Sequence, residues 1–272
     1  MTKPSVKIKT ATKTAAPAPA KVGARKAPQS DAKSAARALE LLGLFAASRR
    51  ALSLTEITER LNAPKSSCYQ LVRTLQYAGY LYALGSRRGF YPTKLIVYQA
   101  QTIAQHDPIR QLIEPQLLQL RDRTNESVVV SSLHEGLALI IDLLESPQGI
   151  RFGARIGERR PLHSSSIGRA LLGAMSPDKR DELIRKQELD YPDAKPVNRK
   201  TLDKELALSA KRGWYVSTDE PLEGVTAVAI PLTVAGSKLA VAVAGPTARM
   251  QPSIARHAAV LVECFASLPQ EA

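Results

Sequence analysis

Residues 34–92 constrain the fold most, because their apolar spacing suits only short helices followed by a hairpin. Ala38, Leu41, Leu42 and Phe45 recur at i, i+3, i+4 and i+7, which puts them on one helical face and predicts a helix over 34–48. The pattern breaks from Ala51 to Ser53. Ser53 and Glu56 have the spacing of a capping box, in which each side chain satisfies the other's free backbone N–H. A second helix is expected over 54–61, with Leu54, Ile57 and Leu61 inward. Asn62-Ala63-Pro64 is a tight connection, and proline suits the first turn of a helix, where its missing N–H costs nothing. The third helix is expected over 65–78, with Cys68, Leu71, Val72 and Leu75 toward the core.

The other face of the third helix is polar or amphipathic. It carries Lys65, Ser66, Ser67, Tyr69, Gln70 and Arg73, and no acid. Two short helices joined by a tight turn, the second with such a face, form a helix-turn-helix. Arg73 and Gln70 are the candidates for reading bases, since Arg pairs with guanine and Gln with adenine in the major groove. Lys65, Ser66 and Ser67 stand at the helix start, where backbone N–H groups favour phosphate. After Gly79 the period becomes two. Residues 80–84 and 89–92 make a hairpin whose tip carries Arg87 and Arg88. On its own such a tip is a solvated turn. Beside a helix-turn-helix it suits the wing of a winged helix, placed for the minor groove or phosphate.

The charge agrees with a polyanionic partner. Thirty-eight Lys and Arg against 25 Asp and Glu leave +13. Residues 1–30 hold seven basic and no acidic residues among Ala, Pro and Thr. That stretch is too poor in large apolar groups to offset its ordering entropy, so a disordered basic tail is expected, either a solvated arm or a phosphate attractor. Aromatics are only 5%, which disfavours base stacking on single strands.

Several classes are set aside. No run of about 18 apolar residues suggests a transmembrane helix, and no apolar h-region follows the basic N-terminus, so a cytoplasmic, nucleoid-associated protein with no membrane partner is expected. Cys68 and Cys264 are too few for a disulfide framework, and each falls on or beside an apolar stripe, as a buried hydrophobe does. Four scattered histidines give no metal spacing, and no cofactor is expected. His163 followed by Ser164, Ser165 and Ser166 has ingredients of nucleophilic catalysis. Chain neighbours rarely reach one another's reactive atoms, however, and no G-x-S-x-G elbow is present, so no enzyme is expected.

The chain length suits about two domains of ~150 residues. A helix over 93–106 joins them, and Asp107-Pro108 opens the next, with Asp as cap and Pro at the first position. Strands are expected at 127–133 and 137–144 around His134-Glu135-Gly136, with a third at 150–156. Helices at 166–174, 176–187 and 200–212 follow, then strands at 214–218, 225–233 and 238–244, and a closing helix over 252–267. This predicts an α+β domain with a central antiparallel sheet. Ser164–Gly168 leads into a helix and reads as an anion cradle for a carboxylate.

Three stretches resemble the IclR family of bacterial transcription regulators. Ser66-Ser67-Cys68-Tyr69-Gln70-Leu71-Val72-Arg73-Thr74-Leu75 is similar to its recognition helix. The run from Pro161-Leu162-His163 through Gly168-Arg169-Ala170-Leu171-Leu172 resembles its PLHxxxxGKALL motif. Gly213-Trp214 through Ile230-Pro231, with Gly245-Pro246, resembles its C-terminal signature. The resemblance implies an N-terminal winged helix-turn-helix over 31–92, a linker helix over 93–107 and a GAF-like effector-binding and oligomerisation domain over 108–272, assembled as a homodimer or homotetramer. It also places the effector pocket at Ser165, Ser166 and Ile167. Where the family's pocket has an Asp, a Cys and two Ser, this sequence has Ser217, Ala227, Ala242 and Ala244. Alanine leaves volume and apolar wall, which favours a larger, partly hydrophobic carboxylate such as an aromatic acid over a small oxoacid. The expected function is a ligand-responsive regulator of palindromic operator DNA. The alternative is a ligand-binding or enzymatic module whose winged helix serves protein contacts, against which the basic outward face counts.

Overall fold

The computed structural model describes residues 33–85, 89–190 and 197–268. The chain divides into two compact units between Gln111 and Leu112.

In the first unit, α1 (Lys33–Ser48), α2 (Leu54–Arg60) and α3 (Lys65–Tyr77) surround one apolar cluster. Leu41 and Phe45 of α1, Ile57 of α2, and Cys68 and Val72 of α3 are buried in it. The capping box forms: Ser53 Oγ accepts from Glu56 N at 3.2 Å, and Glu56 Oε2 accepts from Ser53 N at 2.9 Å. Strands β1 (Leu81–Ala83) and β2 (Phe90–Pro92) pair antiparallel. Leu52 extends this hairpin, exchanging backbone bonds of 3.1 and 2.8 Å with Phe90. Gly89 permits that approach. Its φ is +86°, and a Cβ there would lie 2.4 Å from the Leu52 carbonyl oxygen. Helix α4 (Leu95–Gln105) completes the unit.

Helix α5 (Pro108–Thr124) starts as expected, with Asp107 Oδ1 accepting from the amides of Ile109 and Arg110 at 2.9 and 3.0 Å. The second unit holds a six-stranded antiparallel sheet in the order β5-β4-β3-β8-β7-β6. Its strands are β3 (Ser127–His134), β4 (Leu137–Leu144), β5 (Arg159–Arg160), β6 (Tyr215–Thr218), β7 (Val225–Val234) and β8 (Ser237–Pro246). Two-residue turns join β3 to β4 and β7 to β8. Glu135-Gly136 and Ala235-Gly236 all have positive φ, the twist that matches hairpin strands. Period-two alternation divides the faces. Val129, Ala229, Ala240 and Ala242 join a cluster with α6 (Ser166–Gly173), α7 (Pro177–Asp190) and α8 (Arg199–Arg212). Helix α9 (Ile254–Phe265) packs on β7 and β8 and buries Ala258, Leu261, Cys264 and Phe265. Glu126, buried just before β3, takes both Nε and Nη2 of Arg249.

One expected strand is absent. Residues 150–156 form no ladder, and the sheet edge is instead Arg159–Arg160. Gly153 interrupts the apolar run, and Gly157, at φ +85°, turns the chain. Gly157 N donates to Ile140 O at 2.8 Å and Ile140 N to Glu158 O at 2.9 Å, so pairing with β4 starts only beyond the turn.

Candidate DNA-reading helix and ligand cavity

Helix α3 starts with an open end. The helix begins at Lys65 as expected, and Pro64 is its N-cap and offers no side-chain acceptor; the first turn holds no acid. The amides there are therefore left for an external anion. Lys65, Ser66, Tyr69, Gln70 and Arg73 are exposed, whereas Ser67 is half-buried and belongs to the edge of this face. Ser66, Gln70, Arg73 and Tyr77 step along one stripe, as three- and four-residue spacings require. Tyr77 is 98% exposed and continues the stripe beyond the residues chosen from sequence. Lys65 and Arg73 have no ion-pair partner among the described residues. The wing-tip candidates Arg87 and Arg88, and the basic tail over 1–30, lie outside the described residues.

In the second unit, Ser165, Ser166, Ile167, Ser217, Ala227, Ala242 and Ala244 line one cavity of about 410 Å³, its open mouth included. Strand register explains the meeting. Ser217 of β6 pairs with Ala227 of β7, which pairs with Ala244 of β8. Ala242 pairs with Val129 of β3, another wall residue. These small side chains form a floor, and the start of α6 stands over it. Ile140 and Phe152 add apolar wall; Glu220, Pro221 and Leu222 border the rest.

The anion cradle expected at Ser164–Gly168 is largely occupied. Ser165 Oγ accepts from Gly168 N, and Ser217 Oγ accepts from Ser166 N, both at 3.1 Å. These hydroxyls cap α6 in place of a ligand. The amide of Ile167 has no partner among the described residues. Ser165 Oγ also donates to Pro161 O at 2.6 Å, and His163 Nδ1 lies 2.9 Å from Gln187 Nε2. Ser165 and His163 are thus committed to shaping the turn rather than to each other.

The cavity also holds a residue that sequence reasoning missed. Arg160 lines it with a side chain only 8% exposed. Glu158 Oε1 lies 2.9 Å from its Nη2, and burial pushes the guanidinium below its ordinary value. Parity with Leu162, two residues on, does not by itself say which face is inward; the structure buries Arg160 and Leu162 and exposes Arg159 between Glu158 and Arg160. The other charged wall residue, Glu220, takes Arg169 Nη2 at 2.8 Å.

Both cysteines are buried, and desolvation pushes the Cys264 thiol up. Among the described residues, no group of three or more His, Cys, Asp or Glu could hold a metal. No described helix is long and apolar enough to cross a membrane.

Comparison with known proteins now joins the two halves. Residues 34–85 match the IclR helix-turn-helix domain, and residues 101–267 match the family described as bacterial transcriptional regulator IclR C-terminal. The acetate operon repressor of Salmonella typhimurium is 28% identical over 222 residues, covering 79% of this chain and 81% of its own length. The transcriptional repressor IclR of Escherichia coli is 28% identical over 224 residues, with the same coverage of 79% and 81%. Among solved structures, the Thermotoga maritima IclR superposes with a TM-score of 0.68 at 24% identity, covering 85% of this chain and 94% of that one. An IclR homologue of Microbacterium hydrocarbonoxydans, complexed with 4-hydroxybenzoate, superposes at 0.65 with 21% identity, covering 86% and 96%. The relatives are transcriptional regulators rather than enzymes. This chain belongs to the IclR family, with an N-terminal helix-turn-helix DNA-binding domain and a C-terminal effector domain.

Proposed function

We propose that this protein is a regulator that responds to a partly hydrophobic carboxylate, an aromatic acid above all, and controls genes for its catabolism. The observation that carries the ligand half is the convergence of seven residues, from α6, β6, β7 and β8, on one cavity with an alanine floor. An apolar wall with a few polar groups suits a flat acid better than a small oxoacid. The 4-hydroxybenzoate bound by the Microbacterium relative supports the same class.

On the DNA side, a homodimer presents two copies of α3 to the half-sites of a palindromic operator. Gln70 and Arg73 read base edges; Lys65, Ser66, Ser67 and Tyr69 hold the backbone; Arg87 and Arg88 act as the wing. We place the domain boundaries at 31–92, 93–107 and 108–272, and the protein in the cytoplasm with its DNA.

Two measurements test this. Gel-shift titration of the chain's own upstream DNA, with and without aromatic carboxylates, should show binding that the acid alters. A thermal-shift panel should show stabilisation by aromatic acids. Stabilisation by small oxoacids alone would reject the ligand class.

A further inference from the structure

We infer that Arg160 is the anion anchor of the cavity, and that the molecule seated there is a monocarboxylate whose apolar body lies over Ala227, Ala242 and Ala244. This rests on reading the cavity as the effector site.

A buried guanidinium is expensive unless its charge and its five N–H donors are used. Arg160 sits at the sheet edge, where β5 pairs Arg160 with Ala138 of β4. Its side chain is only 8% exposed, and the residue lines the cavity. Glu158 meets one end of the fork through Oε1 at 2.9 Å, and its Oε2 accepts from Arg155 N at 3.2 Å. One carboxylate oxygen does not use a fork that can hold two. Around Arg160 the cavity wall is apolar, with Val129, Ile140 and Phe152. Packing gives no reason for a cation on such a wall, whereas recognition of an anion does. Ser165 does not replace it, because its Oγ accepts from Gly168 N and donates to Pro161 O; Ser217 Oγ accepts from Ser166 N and keeps only a single neutral O–H to offer an anion.

The pairing makes Glu158 an internal competitor. It neutralises the guanidinium when the cavity is empty and repels a second carboxylate when it is filled. Removing the charge of Glu158 should therefore improve acid binding, an effect that a merely structural ion pair would not produce.

The test uses the full-length protein and calorimetric titration with benzoate, 4-hydroxybenzoate and phenylacetate, each beside its neutral carboxamide. The variants are Arg160→Met, Glu158→Gln, the double variant, and Ala242→Leu, which fills the floor. Fluorescence of Trp214 checks that each folds, and the double variant leaves no unpaired buried charge. The expected result has four parts. Wild type prefers acid to amide. Arg160→Met and the double variant lose that preference, with acid affinity falling about tenfold or more. Glu158→Gln tightens acid binding about fivefold. Ala242→Leu abolishes binding of both. If Ala242→Leu abolishes binding but Arg160→Met and Glu158→Gln leave the acid-to-amide ratio unchanged, the anchor is wrong and the cavity reading stands. If acids bind and Ala242→Leu changes nothing, the cavity reading fails, and the anchor with it. If no acid binds a wild-type protein that still binds DNA, the monocarboxylate class is overturned.

Discussion

Replacing Gly168 by alanine tests whether the cavity roof is held by close packing of backbone. Gly168 is buried in the first turns of α6, between the residues over the cavity and the apolar run Ala170-Leu171-Leu172. A Cβ there would lie 2.4 Å from Leu162 Cα and 2.6 Å from the carbonyl oxygens of Leu162 and Pro161. Ordinary contact is about 1 Å longer, and all three atoms are backbone, so no side chain can swing away. Either α6 or the Pro161–Leu162 segment must move. Overpacking of this kind costs up to about 3 kcal/mol, and alanine returns up to about 1 kcal/mol of helix propensity. The net loss is about 2 kcal/mol, or a fall of about 1 M in the urea midpoint for an m-value near 2 kcal/mol/M. Trp214, the single tryptophan, lies between α8 and β6 with Arg212 Cζ 3.9 Å from its ring centroid, so its fluorescence reports this unit. Gly149→Ala, with nothing within 4 Å of its Cβ, is the control and should stay within about 0.5 kcal/mol. A Gly168→Ala midpoint equal to wild type would refute the packing argument.

Other outcomes follow from the first unit. Ser53→Ala removes the acceptor for Glu56 N and should cost about 1 kcal/mol, read by far-ultraviolet dichroism in urea. Arg50 above all, by its side-chain hydrogen bond, and Ser53 hold the Glu56 carboxyl at about 2, below the ordinary 4.5. Its contribution to stability is therefore complete above pH 4.5 and is lost as pH falls toward 2, and Glu56→Gln should flatten acid unfolding in that window. Arg73→Ala should lose about 1–3 kcal/mol of discrimination between operator and scrambled DNA in competition gels, and unchanged preference would remove its base-reading role. Deleting residues 1–30 should weaken binding to all duplexes and flatten the salt dependence. An identical salt slope would leave the tail no part in DNA binding.

What could be read from the sequence depended on how local the cause was. The α1–α3 helices, the Ser53 cap and the Asp107 cap rest on interactions within four residues, and they formed as expected. Hairpins at Glu135-Gly136 and Ala235-Gly236 are local in the same way, whereas the alanines of β7 and β8 were assigned to the pocket by family resemblance, and it is the β7–β8 register that brings them together. The rest needed long-range pairing. Ser217 and Ser166 are far apart in sequence, and the bond between them is what turned an expected anion cradle into a capped helix start. Arg160 was invisible for a similar reason. In a Glu-Arg-Arg-Pro run both arginines read as solvated charge, and only the pairing with Ala138 decides that Arg159 faces out while Arg160 is buried. The missing strand over 150–156 was a misread period, because an apolar run broken by Gly153 carries no information about where β4 finds its partner.

The two halves make one further demand on each other. A ligand shifts DNA affinity only through a difference in its affinity for the DNA-bound and free forms, and the coupling is reciprocal. If benzoate or a related acid is the signal, saturating it should change operator affinity by about 5–150-fold. Operator DNA should change the affinity for the acid by the same factor and in the same direction. Fluorescence anisotropy on labelled operator gives the first factor, and calorimetric titration of the acid into the protein–DNA complex gives the second. Arg160→Met should bring the first toward one at acid concentrations that saturate wild type, because Arg160 lines the cavity. A bound acid with a coupling factor of one would mean that the cavity does not signal to DNA. The ligand would then be a structural guest, and the regulatory input would have to enter elsewhere.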